Sequence, residues 1–438
     1  MAELPAAPAE GDYLVCSEPP DAGELAALAG AGWRVAGEGN TPTLRRDGVT
    51  VRYLHAWTGG RTLTPAEGHA VFDWLEAGLV HAARDEHACP IGAPATTGRD
   101  LWLRTIPAGV EYPVPADDAQ RWLRATGGQA RVELLPKPAP LPESGNGPAI
   151  GDELPAGAVE YDARHAYLAC LRELPVGRPE RCATFDEPYW PGRYLVAWRA
   201  PAGWPYPFGL LRDGRGLRDL GPAERYYPPA GEGWVDAVEL ALAVRHGWAV
   251  EVDHGWRWPT RAHPFDRWHD ALGRLATAPG NVEDDTRAAV VRAITLGTIG
   301  AMWGSPRKHT GYGPADSIPE GAEGVRSIAR GTYRWRYVTP ALWPDTHHPE
   351  WVGTVWARAR VRLLDAPTAE RGVRAGALHV EPGAVIAMRT DALYLDARHE
   401  PSWADDGRDG RYRLAGYVTP GPWPTSAAEL LHRREPPR

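Results

Sequence analysis

Apolar positions along the chain group into short runs and longer stripes of helical period, and they predict an alternation of strands and helices. Tyr13-Leu14-Val15 reads as a short strand, 21–30 as a helix and 49–57 as a second strand. Ala70, Val71, Trp74, Leu75 and Leu79 recur at helical spacing and predict a helix over 64–83, with another near 96–104 after a proline-rich break. Together these make a small α/β region over 12–125. Residues 136–157, PKPAPLPESGNGPAIGDELPAG, carry no period and read as a linker.

Beyond the linker the pattern resumes. Ala158, Val159 and Tyr161 form a strand that ends on Asp162; a short helix starts there, carries Tyr167 and closes at Leu174-Pro175-Val176-Gly177. Strands are predicted over 193–199 and 207–212, an amphipathic helix over 235–246 stopped by Gly247, and a strand pair near 249–258. Phe265, Trp268, Leu272 and Leu275 mark one helix; after Pro279-Gly280-Asn281 a second runs over 283–303, giving an αα-hairpin. Residues 304–335 are glycine-rich and irregular. Over 350–364, Val352, Val355, Trp356, Ala359 and Leu363 face inward, while Arg358, Arg360 and Arg362 occupy the other face. Two apolar strands, 385–388 and 393–395, flank the turn Arg389-Thr390-Asp391-Ala392, a hairpin with one acid at its tip. A strand over 412–417 and a helix over 426–434 complete the chain.

Composition narrows the classes of function. At 438 residues the chain exceeds one ordinary core, so two or three domains are expected. The four cysteines show no CxxC pair and no ligand spacing, which points away from a zinc site or a disulfide framework. A net charge of −8 argues against coating nucleic acid through overall charge. A local basic groove stays open, because the arginines can cluster in space. No apolar run reaches the length of a membrane span and the acidic N-terminus lacks a signal-peptide pattern, so a cytoplasmic protein without a membrane partner is expected. There is no G-x-S-x-G elbow and no well-placed acid pair for a hydrolase or a sugar enzyme.

Two stretches carry candidate chemistry. Asp162 is either the N-cap of the helix after it, or a carboxylate that works with the amides beyond it and Tyr167 to hold a metal-bound, phosphorylated ligand. Gly127-Gly128, ahead of a strand containing Arg131, either allow close backbone approach to a partner or make a plain turn.

In order, these pieces resemble family B DNA polymerases. Tyr161-Asp162-Ala163-Arg164-His165-Ala166-Tyr167-Leu168 looks like the first palm motif, D-x-x-S-L-Y-P. Arg292-Ala293-Ile294-Thr295-Leu296-Gly297-Thr298-Ile299-Gly300 sits where the family has K-x3-N-x2-Y-G, and Arg389-Thr390-Asp391-Ala392 where it has D-T-D-S. Gly127-Gly128 resemble the paired small residues that precede the palm in the protein-primed branch. The resemblance covers about 120–418. It implies an α+β fold: a right-hand polymerase palm with helical fingers, a reduced thumb, and a small N-terminal α/β domain, degenerate and exonuclease-like, without nuclease activity. The implied domains are 1–125 (N-terminal), 126–234 (first part of the palm), 235–304 (fingers), 305–405 (second part of the palm) and 406–438 (reduced thumb).

The implied function is a nucleotidyltransferase that adds deoxynucleotides to a primer 3′-hydroxyl without proofreading. Such chemistry uses two Mg²⁺ (or Mn²⁺) ions about 3.5–4 Å apart, held by carboxylates from distant strands. By resemblance these are Asp162 and Asp391. The backbone of Ala163, Arg164, His165 and Ala166 would meet the triphosphate, and Tyr167 would lie under the sugar. Arg292 would bind phosphates with a guanidinium fork, and Ile299 would touch the nascent base pair. Gly127, Gly128 and Arg131 would contact DNA. Implied partners are a DNA primer-template, a deoxynucleotide and a terminal or priming protein. The chain departs from the family at Arg389, which replaces the first acid of D-T-D, and at Leu296 and Ile299; no clear Lys-x-Tyr follows the last motif. These departures leave an alternative, a catalytically weakened scaffold that binds DNA ends or a replication complex.

Overall fold

The computed structural model describes residues 13–436, except 17–20, 37–42, 47–48, 54, 60, 62, 92, 129–130, 136–152, 155, 187–188, 213–226, 305–306, 330, 340–342, 400, 402, 404–406 and 425–428. Most of the predicted linker and the start of the last predicted helix lie outside the described residues. In chain order the elements are β1 (Tyr13–Cys16), α1 (Ala22–Gly30), β2 (Arg34–Ala36), β3 (Thr43–Arg46), β4 (Val49–Tyr53), α2 (Pro65–Ala83), α3 (Pro94–Thr105), α4 (Asp117–Thr126), β5 (Val132–Leu134), β6 (Ala158–Ala163), β7 (Glu180–Cys182) and β8 (Gly192–Arg199). They continue with β9 (Ala230–Asp236), α5 (Ala237–Arg245), β10 (Ala249–Arg257), α6 (Asp266–Ala276), α7 (Asp284–Met302), β11 (Arg307–Gly313), β12 (Glu323–Ala329), β13 (Thr332–Thr339), α8 (Pro349–Leu364), β14 (Val385–Arg389), β15 (Ala392–Asp396), β16 (Tyr412–Val418) and β17 (Arg434–Glu435). They divide into two compact units, Met1–Val114 with Pro264–His348, and Pro115–His263 with Pro349–Arg438.

The first unit is built on a seven-stranded sheet, β1-β4-β3-β2-β11-β13-β12, in which β1 and β4 are parallel and the other pairs antiparallel. The 304–335 segment is therefore not irregular: it supplies β11 and β12 and leads into β13, and it continues the N-terminal sheet through Gly311↔Ala36. Its glycines misled the sequence reading for a physical reason. Gly311 lies opposite Trp335, and a Cβ there would come 2.4 Å from the indole, so the glycine makes room for a ring inside a strand. α2 starts on a capping box, Thr64 with Glu67, and has Pro65 in its first turn. α3 packs closely on α7 at two glycines: a Cβ on Gly98 would overlap Thr298 and Ile294, and one on Gly297 would crowd Ala95.

The second unit holds a six-stranded sheet, β17-β16-β6-β15-β14-β5, and a four-stranded antiparallel sheet, β9-β8-β10-β7. Side chains alternate along β6. Val159, Tyr161 and Ala163 join a large core that includes Leu240 and Ala243 of α5 and Leu363 and Leu364 of α8. Ala158 joins the smaller core on the opposite face, with Ala392 and Tyr394.

Several expected boundaries change. α5 and β10 belong to the second unit and α6 and α7 to the first, so the span 235–304 divides at Pro264. Residues 305–348 group with the first unit, apart from 349–405. The 406–438 tail is not a separate thumb among its described residues, since β16 and β17 complete the six-stranded sheet beside β6. Residues 207–212 form no strand. Among the described residues, no helix is long and apolar enough to cross a membrane.

Candidate functional site

Asp162 is the fifth residue of β6 and caps no helix. The chain after it makes turns at 164–167 and one short 3₁₀ turn, Leu168–Cys170, and Leu174–Val176 is a strand. The N-cap reading of Asp162 falls with the helix it needed. Cross-strand register places Arg413 of β16 beside Asp162 on one side and Ala392 of β15 on the other, with Arg389 beyond Ala392. One face of the sheet thus carries a row, Arg413-Asp162-Ala392-Arg389. An Arg413 guanidinium nitrogen lies 3.5 Å from Asp162 Oδ2, and the two side chains are 42% and 17% exposed. Arg413 was missed from sequence; its signal was a basic residue alternating with apolar ones on the last strand.

Asp391 sits in the two-residue turn between β14 and β15 and is buried. Its carbonyl accepts from the Ala163 N–H at 3.0 Å, so the turn that carries Asp391 is hydrogen-bonded to the end of β6, one residue beyond Asp162. Thr390, at φ 58°, is a β-branched residue in the left-handed region, which costs about 1–2 kcal/mol. That conformation is held by the Arg131 carbonyl, which accepts from Thr390 N–H at 2.7 Å, and the Thr390 hydroxyl lies 2.7 Å from Asp391 Oδ1. The Tyr412 phenol is pushed well above its ordinary range, first by burial and then by the charges of both Asp162 and Asp391. Among the described residues Arg389 makes no ion pair with Asp391.

The backbone after Asp162 is only partly open to a ligand. The Ala163 amide donates to Asp391, and the Arg164 amide donates to the Arg411 carbonyl at 2.8 Å. These two are not presented to a triphosphate, contrary to expectation. His165, at φ 43°, places Nδ1 2.9 Å from Asp409. Ala166 is buried and Tyr167 is half-buried at the head of the 3₁₀ turn.

Gly127 caps α4, its N–H donating to the Leu123 carbonyl at 2.9 Å, while Gly128 and Arg131 make close contacts with the protein itself. The Gly128 carbonyl accepts from Arg360 at 3.0 Å, and a Cβ on Gly128 would meet Arg360 at 3.0 Å and Arg212 at 3.2 Å. Arg131 is fully buried: it bonds Glu133 at 2.8 Å and the Gly209 carbonyl at 3.1 Å, and lies 3.9 Å above the Tyr227 ring. Its guanidinium is not available to DNA. The same interior holds Arg360 on both oxygens of Glu239, at 2.7 and 2.6 Å, and Arg193 on Asp236 at 2.8 Å. Burial pushes Glu239 up, but the Arg360 charge and hydrogen bonds outweigh it and hold the carboxyl below its ordinary range.

In the first unit, α7 exposes Ala288, Arg292, Leu296 and Gly300 along one ridge. Ile299 is 3% exposed and packed into that unit, so it is not a surface for a base pair, although it lies near the Arg292 face by helical angle. The tertiary packing that buries it is invisible to helical periodicity.

Hard carboxylate donors suit Mg²⁺, which is commonly held by one or two carboxylates and completed by substrate phosphates. Asp162 and Asp391 fit that pattern. Among the described residues no group of three or more His, Cys, Asp or Glu is placed to hold a metal ion.

No protein-family model and no curated protein sequence matches the chain. Solved structures do. Phi29 DNA polymerase complexed with primer-template DNA and incoming nucleotide substrates matches with a TM-score of 0.60 and 12% identity, over 93% of this chain and 77% of that one. Its post-translocation binary complex with primer-template DNA matches at 0.57 and 12%, over 93% and 76%. The orthorhombic crystal form matches at 0.51 and 15%, over 75% and 53%. In that last comparison the chain spans about half the length of the structure it matches. Identity this low speaks for architecture alone: the chain has a DNA-polymerase-like fold.

Proposed function

We propose that the chain is a DNA polymerase-like nucleotidyltransferase of the family B type, which adds deoxynucleotides to a primer 3′-hydroxyl without proofreading. The observation that carries this reading is the placement of Asp162 near the end of β6 and of Asp391 in the β14–β15 turn hydrogen-bonded to that end. Asp162 and Asp391 would hold two Mg²⁺ or Mn²⁺ ions, which when bound activate the primer hydroxyl and hold the triphosphate. Tyr167 lies under the sugar and excludes a 2′-hydroxyl. The solved neighbours carry primer-template DNA and nucleotides, which supports the same partners for this chain. A terminal or priming protein belongs to this reading as a further partner.

Arg413 favours the second reading, a weakened scaffold on DNA ends, because its guanidinium competes with a cation for Asp162. Primer extension decides between them. The enzyme extends a labelled primer with Mg²⁺ or Mn²⁺, and Asp162→Asn and Asp391→Asn each reduce extension by about a thousandfold or more, the scale on which transition-state stabilisation is lost. Wild-type protein that extends neither free nor protein-linked primers supports the scaffold.

A further inference from the structure

We propose that Arg358 and Arg362 of α8 are positioning residues that clamp the turn carrying Tyr167. What Tyr167 does rests on the polymerase reading above; the clamp rests on geometry alone. Residues 164–173 have no helix to organise them, only turns and the single 3₁₀ turn Leu168–Cys170. So short a turn leaves carbonyls at its C-terminal end without partners inside it. Arg358 takes them: one nitrogen donates to the Cys170 carbonyl at 2.9 Å and also to that of Arg172, and the other donates to Glu173 at 2.9 Å. Arg362, one helical turn on and on the same face, reaches the carbonyls of Ala169 at 3.5 Å and Gly410 at 3.3 Å.

The segment is held from its other side as well. The Gly410 N–H donates to the Arg164 carbonyl at 2.5 Å, and His165 meets Asp409. Gly410 has φ 74°, and a Cβ there would lie 2.5 Å from Arg362 and 2.6 Å from Ala169, so Arg362 passes through a gap that only glycine leaves. Glu173 holds φ 49°, which a non-glycine residue keeps only where its surroundings enforce it. A guanidinium fork suits this task because it serves several separated carbonyls at once; a lysine ammonium is a point charge at the end of a flexible stem. Tyr167 heads the clamped turn, its carbonyl accepting from Cys170 N–H at 3.0 Å. A loosened turn would present the ring less often to the sugar while leaving Asp162 on its strand and Asp391 in its hairpin turn.

The test compares full-length wild type with Arg358→Met, Arg358→Lys and Arg362→Met. Hydrogen exchange of the amides in 164–173 should quicken by about tenfold in Arg358→Met, the loss of roughly one charge-assisted bond. Exchange in the six-stranded sheet should hold, and Lys at 358 should restore part of the protection. In extension assays the KM for a deoxynucleotide should rise more than kcat falls, and discrimination against ribonucleotides should drop. Unchanged exchange over 164–173 in both Met variants overturns the clamp. Faster exchange with unaltered KM and discrimination overturns the positioning role. A wild-type chain that extends no primer sinks the polymerase reading, and exchange alone then decides the clamp.

Discussion

Around Asp162 the decisive interactions are between single residues. Arg413 supplies a counter-charge that a divalent ion would otherwise bring, and Arg389 stands in the same cross-strand row without pairing to Asp391. The sequence reading put Arg389 beside Asp391 by number alone; the turn at Thr390 separates what adjacency suggested. The places of Asp162 on a strand and of Asp391 in a hairpin turn were legible because strongly apolar runs lead to each. Arg413 and the burial of Arg131 were not, since cross-strand neighbours and solvent access are set by tertiary packing that no local pattern encodes. At this scale the sharpest expectation concerns Tyr167. Replacing it with Ala should relax discrimination against ribonucleotides by about tenfold or more, as loss of a shape-excluding contact does. Competing incorporation of matched deoxy- and ribonucleotides measures it, and unchanged discrimination would show that Tyr167 does not read the sugar.

Among the elements, α8 departs most from expectation. Its bounds and apolar positions were legible, but its three arginines read as an outer face. Twelve of its sixteen residues are buried, and the arginines spend their charge inside, on Glu239 and on carbonyls of neighbouring loops. The Arg360–Glu239 pair lies in the interior, where removing one partner strands the other charge. Glu239→Gln should therefore cost about 3–5 kcal/mol at neutral pH, read as a lower urea midpoint by tryptophan fluorescence. The sign of its pH dependence follows from the depressed carboxyl. The stabilisation is present above the unfolded pKa of about 4.3 and is lost as pH falls through the lower folded value, so the variant should show a shallower acid limb than wild type. An acid limb of equal slope would remove Glu239 from the account. The 305–339 strands make the converse point: Gly311 and Gly313 looked like breaks because a glycine that accommodates Trp335 is indistinguishable, in one sequence, from one that turns the chain.

For the whole molecule, a mixed helix-and-sheet class was legible, and several elements and the unit boundaries were not. The chain leaves one unit and returns to it, so contiguous domain limits drawn at 235 and 305 cut across sheets that close through distant strands. The N-terminal region presents no Asp-x-Glu on a strand, and a labelled single-stranded primer incubated with the protein and Mg²⁺ should stay at full length; progressive shortening would restore a nuclease to it. The account as a whole stands on Asp162 and Asp391 acting as one site. Its most direct test is single-turnover primer extension by wild type, Asp162→Asn, Asp391→Asn and the double variant. Groups that act as a unit lose their effect together, so wild type should extend, each single variant should fail, and the double variant should be no slower than either. Extension left untouched by both single changes would contradict the account.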